Sequence, residues 1–67
     1  MQTDQLRKAL GELNGQRNAV FYFTSAESCL VPNAMLLPDE GDNLIKVTDG
    51  KYVYILDAEH VDWIRIG

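Results

Sequence analysis

The pair Asp49-Gly50 constrains the fold of this chain more than any other feature. It separates two runs that are rich in strand-forming residues, KVT before it and KYVYIL after it. An Asp-Gly pair between such runs is typical of a two-residue β-hairpin of type I′, because that turn needs positive φ angles, which glycine and aspartate tolerate. We therefore predict an antiparallel hairpin between strands at residues 43–48 and 51–56.

The N-terminal segment TDQLRKALGELNG has a helical period instead. Leu6, Leu10 and Leu13 recur at helical spacing and form one apolar stripe. Asn14-Gly15 is a typical helix end, since either residue accepts the left-handed backbone found there. The sequence therefore predicts a helix over residues 3–14 that packs through its leucines.

Three further segments have strand character: NAVFYFT at residues 18–24, CLVPNAMLL at 29–37 and VDWIRI at 61–66. The first is apolar on both strand faces, so its second face needs cover from the helix or from a neighbouring subunit. The second contains Pro32, which cannot donate to a strand ladder and marks an edge, a bulge or a bend. Only the four residues DAEH separate the last two strands. We predict a single, mainly β domain over residues 1–67, with one helix followed by five strands.

Small size leaves this predicted core short of stabilisation. A domain of 67 residues buries only about 60% of the surface that its unfolded chain exposes. The hydrophobic fraction of 46% suits a folded domain, but the single cysteine, Cys29, excludes an intrachain disulfide and a cysteine-pair zinc site. Stability must then come from packing and self-association, so we expect a homo-oligomer.

The charge distribution bears on the choice of partner. The net charge is −4, and all of it falls in residues 34–67, which hold seven acids against three bases. Affinity for nucleic acid comes from neutralising phosphates with Lys and Arg, so an acidic domain is a poor candidate for it. A basic protein surface is the better electrostatic match.

The N-terminal stretch also bears on location. MQTDQLRKAL is polar and lacks the apolar core of a signal peptide, and no apolar run in the chain approaches the ~20 residues that span a bilayer. A single free cysteine fits a reducing compartment. We expect a cytoplasmic protein with no membrane partner.

One helix, five short strands and a one-turn link between the last two strands form a recognisable order. This order resembles the Sm-like and SH3-like small β-barrels over nearly the whole chain. The resemblance implies an N-terminal α-helix followed by a five-stranded, strongly bent antiparallel sheet that closes into a barrel. RNA binding is a second implication, but the acidic-residue-plus-asparagine signature of the Sm proteins and their strand-bend glycine are missing. RNA binding is therefore kept only as an alternative.

The segment DAEHVD concentrates polar residues that elsewhere bind metals. Glu59 and His60 are adjacent, however, so they point apart on a strand or a turn, and the chain has no second histidine to complete a ligand set. Asp57 is better explained as a cap that accepts backbone N–H groups of the turn. We assign Asp57 and His60, like Asp49 and Gly50, to structural turns. We predict no metal, no cofactor and no catalytic residue, so an enzyme is not expected.

The aromatic side chains are the remaining candidates for a function. If Ile64 and Ile66 fill the core, strand alternation turns Trp63 outward. An exposed aromatic patch indicates a protein interface, whereas core packing and a base-stacking platform are the competing explanations. The possible interface residues are Phe21, Phe23, Tyr52, Tyr54 and Trp63.

These observations favour a small acidic cytoplasmic domain that works through protein–protein contacts. We expect it to be homo-oligomeric and to act as a regulator or adaptor. The alternative is an RNA- or nucleotide-binding module of the Sm-like kind.

Overall fold

A computed structural model describes all residues from Met1 to Gly67. It contains one helix, six strands and a single turn of 3₁₀ helix at Ala58–His60. The helix, α1, spans Thr3–Leu10. The strands are β1 (Ala19–Phe23), β2 (Cys29–Val31), β3 (Met35–Leu36), β4 (Ile45–Thr48), β5 (Val53–Leu56) and β6 (Val61–Ile66).

The strands form two separate antiparallel sheets of three strands each. The first sheet has the order β2-β1-β6 and the second has the order β3-β4-β5. The prediction of one five-stranded sheet that closes into a barrel is therefore wrong. Six strands are present instead of five, and no ladder joins the two sheets.

The break at Pro32 explains this difference. The predicted strand at residues 29–37 divides into β2 and β3, which lie in different sheets. Pro32 has no N–H to continue a ladder, and Asn33 adopts a left-handed φ of 48°. The freed backbone bonds to the segment before β1, where Asn33 N–H donates to Asn18 Oδ1 at 3.1 Å and Ala34 N–H donates to Arg17 O at 2.8 Å.

The helix is shorter than predicted and ends at Leu10. Glycine is a poor helix former, and from Gly11 onward the hydrogen bonds tighten: Gly11 N–H donates to Lys8 O and Leu13 N–H donates to Leu10 O. This tighter turn still directs Leu13 into the core. The leucine stripe thus packs on the sheets although its last member lies outside the helix.

The hairpin at Asp49-Gly50 is present, but its loop is wider than predicted. Thr48 pairs with Val53, so the loop comprises residues 49–52 and β5 begins two residues later than expected. Only Gly50 has a positive φ, 94°, which excludes a type I′ turn. The wide loop forms because the Asp49 carboxylate accepts the N–H groups of Lys51 and Tyr52, at 2.8 and 2.7 Å.

The core lies between the two sheets and α1. Phe21 in β1 is the largest of its fully buried side chains. Ile45 and Val47, in β4 of the second sheet, belong to the same core. Alternation along β1 and β6 places Ile64 and Ile66 against this core and leaves Trp63 outside. The twelve buried residues are Leu6, Leu10, Leu13, Ala19, Phe21, Val31, Ala34, Ile45, Val47, Leu56, Ala58 and Val61.

Candidate interaction surfaces

The outer side of the first sheet carries a continuous apolar surface, here named the aromatic face. In the strand register, Val20 lies between Leu30 and Arg65, and Tyr22 lies opposite Trp63. Leu30 is 55% exposed and Trp63 is 51% exposed, while Val20 and Tyr22 are partly buried. The aromatic face therefore consists of these five residues, with Arg65 as its single cation.

Tyr22 and Trp63 form a stacked pair at one end of this face. Their ring centroids are 4.0 Å apart and their planes differ by 5°. A β-bulge follows immediately, between Tyr22 and Phe23, and Asp62 lies exposed beside it without an ion-pair partner. Stacking limits the rotamers of both rings, so this surface is presented with little conformational freedom left to lose on binding.

The outer side of the second sheet is aliphatic instead, and is here named the aliphatic face. It consists of Met35, Thr48, Val53, Ile55 and Lys46, which alternate with core residues in the register of β3, β4 and β5. Val53 is 56% exposed and Ile55 is 60% exposed, so the edge strand β5 is the most exposed part of this face.

Lys46 is held by an acidic loop at the margin of the aliphatic face. Its Nζ donates to Glu40 Oε1 and to Asp42 Oδ2, the latter at 2.7 Å. The hydrogen bond from Lys46 lowers the pKa of Asp42, and the bonds to Asp42 and Glu40 raise the pKa of Lys46. The carboxylates of Asp39 and Asp42 also accept backbone N–H groups of Gly41 and Leu44, so this loop satisfies its own charges.

Tyr54 and Tyr52 occupy different environments although they are two positions apart. Tyr54 packs against the core and donates its hydroxyl to Asp49 Oδ2 at 2.9 Å. The N–H groups of Tyr52 and Lys51 lower the pKa of Asp49, and the bond to Asp49 raises the pKa of Tyr54. Tyr52 is exposed in the loop, with Lys51 Nζ 5.2 Å from its ring centre.

The structure thus divides the five predicted interface residues among three locations. Phe21 is fully buried, and Phe23 and Tyr54 are partly buried against the core. Trp63 lies on the aromatic face, and Tyr52 lies in the loop of the second sheet.

Sequence reasoning did not assign to an interface several residues that complete the two faces: Tyr22, Leu30, Val53 and Ile55. The alternation of β1, β2 and β5 shows which side each occupies. Only the register shows that Tyr22 meets Trp63, and a register of distant strands is not readable from a local pattern.

The first four residues of the DAEHVD segment form the turn before β6, and the last two begin β6. The Asp57 carboxylate accepts the Glu59 N–H at 3.1 Å, and its other oxygen lies 3.7 Å from the exposed His60 ring. No group of three or more His, Cys, Asp or Glu side chains is placed to hold a metal ion. The geometry of this segment is that of a capped 3₁₀ turn.

The remaining surface offers little for a small molecule. Two depressions are present, one lined by Met1, Gln2, Thr3 and Glu59 and the other between Gly15 and the Asp49-Gly50 loop, and each has a single hydrophobic residue in its lining. Ligand sites are typically apolar clefts with a few polar groups. Cys29 is partly buried beside the core, and this burial raises the pKa of its thiol.

Comparison with known proteins finds no match: no protein-family model, no curated protein and no solved structure matches the chain. The Sm-like and SH3-like resemblance of the strand order therefore stays a prediction.

The only helix, α1, is eight residues long, and no helix has both the length and the apolar character needed to cross a membrane.

Proposed function

We propose that this protein is an acidic, non-enzymatic interaction domain that binds a basic partner protein through its aromatic face. We also propose that it self-associates, through a different surface. One observation carries the proposal. The stacked Tyr22–Trp63 pair lies on the outside of the first sheet, with Trp63 51% exposed and Tyr22 partly buried. Large exposed aromatic side chains are enriched at the centres of protein interfaces, where their area supplies most of the affinity.

The charge of the chain supports a basic partner. The aromatic face is electrostatically balanced between Arg65 and the neighbouring Asp62, whereas the chain as a whole carries −4. A net negative charge on a protein accelerates its encounter with a positive surface and disfavours other acidic proteins. The single partly buried thiol supports a cytoplasmic setting for this role.

The test combines affinity capture with titration of a purified partner. Wild-type protein and the variants Trp63→Ser and Tyr52→Ser serve as baits at low and high salt. Tyr52 is the matched control, because it is an exposed aromatic residue that lies off the aromatic face. We expect the wild-type bait to capture a basic protein, and we expect this capture to be lost with Trp63→Ser and kept with Tyr52→Ser. The purified partner is expected to shift the fluorescence of Trp63 when it is titrated into the wild-type protein.

Two outcomes would contradict the proposal. One is the absence of any protein whose capture depends on Trp63. The other is binding that does not weaken as salt increases, because electrostatic attraction between exposed groups is screened by salt.

The stacked pair also favours a second candidate, an RNA- or nucleotide-binding module. Flat aromatic rings are the platforms on which single-strand binders stack bases, and Arg65 lies on the same face. Such binders also need a cationic groove, and this face has only one cation. Titration with short oligonucleotides at low salt decides between the two candidates: quenching of Trp63 supports nucleic-acid binding, and unchanged fluorescence removes it.

A further inference from the structure

The edge of β5 differs from every other edge of the two sheets. β5 has β4 on one side and no strand on the other. Natural edge strands are protected by charge, proline, bulges or very short length, because their free N–H and C=O groups pair with other chains. The segment Val53–Leu56 has no charge and no proline, and its pairing with β4 is regular.

The other edges are protected. β6 carries Asp62 and Arg65 and contains the bulge opposite Tyr22 and Phe23. β2 has three residues and is followed by Pro32, and β3 has only two residues. The unprotected edge is therefore confined to β5.

The backbone groups at this edge follow from the alternation of antiparallel pairs. Leu37 N–H donates to Lys46 O, so the backbone of Lys46 faces β3 and not β5. Ile55 lies opposite Lys46 and consequently directs its N–H and C=O away from β4, and Val53, two residues earlier, does the same. These free groups lie beside the two most exposed aliphatic side chains of the aliphatic face.

We propose that β5 pairs with β5 of a second copy, antiparallel and about a two-fold axis at Tyr54. This inference rests on the self-association proposed above and names its interface. Val53 lies opposite the partner's Ile55, so each symmetric pair exchanges both backbone hydrogen bonds, and the two aliphatic faces join into one. The second sheets of the two copies, each of three strands, become one six-stranded sheet across the dimer.

Charge favours one register of this pairing. β5 is preceded by the loop residue Lys51, two positions before Val53, and is followed directly by Asp57, both exposed, in the order KYVYILD. Opposite residues of an antiparallel pair share a face, so only registers that match odd positions with odd positions keep the apolar side chains together. Pairing about Tyr54 also brings the side chain of Lys51, in the loop before the strand, next to the partner's Asp57, twice by symmetry. The neighbouring registers, about Val53 or about Ile55, do not bring Lys51 and Asp57 together.

The state of association is measured first. Sedimentation velocity over a range of concentrations is expected to show a reversible rise from 7.6 kDa to twice that mass. Ile55→Pro removes an N–H that has no partner within the chain, so it is expected to abolish the dimer while circular dichroism shows a folded protein. Trp63→Ser is the matched control and is expected to leave the dimer intact, which separates this interface from partner binding at the aromatic face.

Charge reversal tests the register without relying on proline. Lys51→Glu replaces two attractive pairs with two repulsive ones and is expected to weaken the dimer about tenfold. Asp57→Lys is expected to do the same. Because Asp57 also caps the 3₁₀ turn, circular dichroism first establishes that this variant is folded. An equimolar mixture of these two variants restores opposite charges at both ends of the strand pair, so it is expected to form a heterodimer of near wild-type affinity.

Cross-linking supplies the direct readout. A carbodiimide joins an amine to a carboxylate in contact, and Lys51 and Asp57 of one chain lie at opposite ends of β5, whose four residues span ~13 Å. A Lys51–Asp57 cross-link in the dimer band, identified by mass spectrometry, is therefore intermolecular and supports the register. A monomer at every concentration overturns the proposal. A dimer unaffected by Ile55→Pro overturns it as well, and so does a charge-reversal mixture that fails to associate.

Discussion

The two sheets share one core but present opposite kinds of surface. The first sheet has protected edges and a rigid aromatic face built on the Tyr22–Trp63 stack. The second sheet has an exposed aliphatic face and an unprotected edge at β5. A protected edge directs binding to the face, where side chains supply specificity, whereas an open edge directs binding to the backbone, which any matching strand satisfies. The difference indicates that one sheet is suited to a specific partner and the other to a second copy of the chain.

The largest expected effect comes from the core that joins the two sheets. Phe21→Ala removes its largest fully buried side chain and is expected to cost about 3–5 kcal/mol in free energy of unfolding. A domain of this size has only about 3–10 kcal/mol in total, so the variant is expected to be largely unfolded at 37 °C. Phe21→Leu is a milder variant that keeps most of the apolar volume. Urea denaturation measures both, and a loss for Phe21→Ala no larger than that for Trp63→Ala would contradict the division between core and surface.

The next effect tests the loop that gives the second sheet its shape. Gly50 has a φ of 94° and no atom within 4 Å of an added Cβ, so Gly50→Ala introduces backbone strain alone. We expect a cost of about 1–2 kcal/mol, because a left-handed backbone is unfavourable for an L-residue. Gly11→Ala is the matched control. Gly11 has a right-handed φ of −63°, so the same substitution there is expected to stabilise the protein by about 0.4–1 kcal/mol. Equal effects at the two glycines would refute this account.

These cases show what local sequence determines. The leucine stripe, the turn before β6 and the presence of a hairpin at Asp49-Gly50 all follow from short-range chemistry. The predicted two-residue loop is too short, because turn propensities do not include the Asp49 carboxylate. This carboxylate accepts two backbone N–H groups and so stabilises a loop of four residues. Pro32 indicates a break within residues 29–37. Which strand each half pairs with depends on the hydrogen bonds of Asn33 and Ala34 to Asn18 and Arg17, and these are not readable from the local sequence.

The candidate surfaces were less predictable than the elements. The outward position of Trp63 follows from alternation along β6, since Ile64 and Ile66 pack against the core. Its stacking partner does not follow, because Tyr22 is distant in sequence and meets Trp63 only through the β1–β6 register. The exposure of β5 is likewise a consequence of sheet order, which a local pattern does not contain.

A smaller effect isolates the first sheet. A double-mutant cycle with Tyr22→Leu and Trp63→Leu is expected to give a coupling free energy of about 0.5–1.5 kcal/mol, the usual range for an aromatic pair. The control cycle pairs Trp63→Leu with Tyr52→Leu, which lies in the loop of the second sheet. Its coupling is expected to be close to zero, since distant sites without shared contacts are additive. Comparable coupling in both cycles would show that the stack is not a distinct element of the aromatic face.

The smallest effect belongs to the second sheet and depends on pH. Backbone N–H groups of Tyr52 and Lys51 hold the pKa of Asp49 below its ordinary value. A lowered folded-state pKa gives stability that is complete above the unfolded pKa of about 3.9 and is lost as pH falls through the folded value. The bond to Asp49 raises the pKa of Tyr54, so the contribution of Tyr54 to stability is complete below about pH 10 and is lost at higher pH.

Urea denaturation from pH 2 to 11 is expected to show both losses of stability. Asp49→Asn should remove the Asp49 part of each, leaving an acid loss from Asp42, whose pKa the Lys46 hydrogen bond also lowers. Because Asp49 and Tyr54 are only partly buried and solvent screens their interaction, the change is expected to be smaller than any of the packing effects. An Asp49→Asn profile identical to wild type would show that the loop does not depend on this carboxylate.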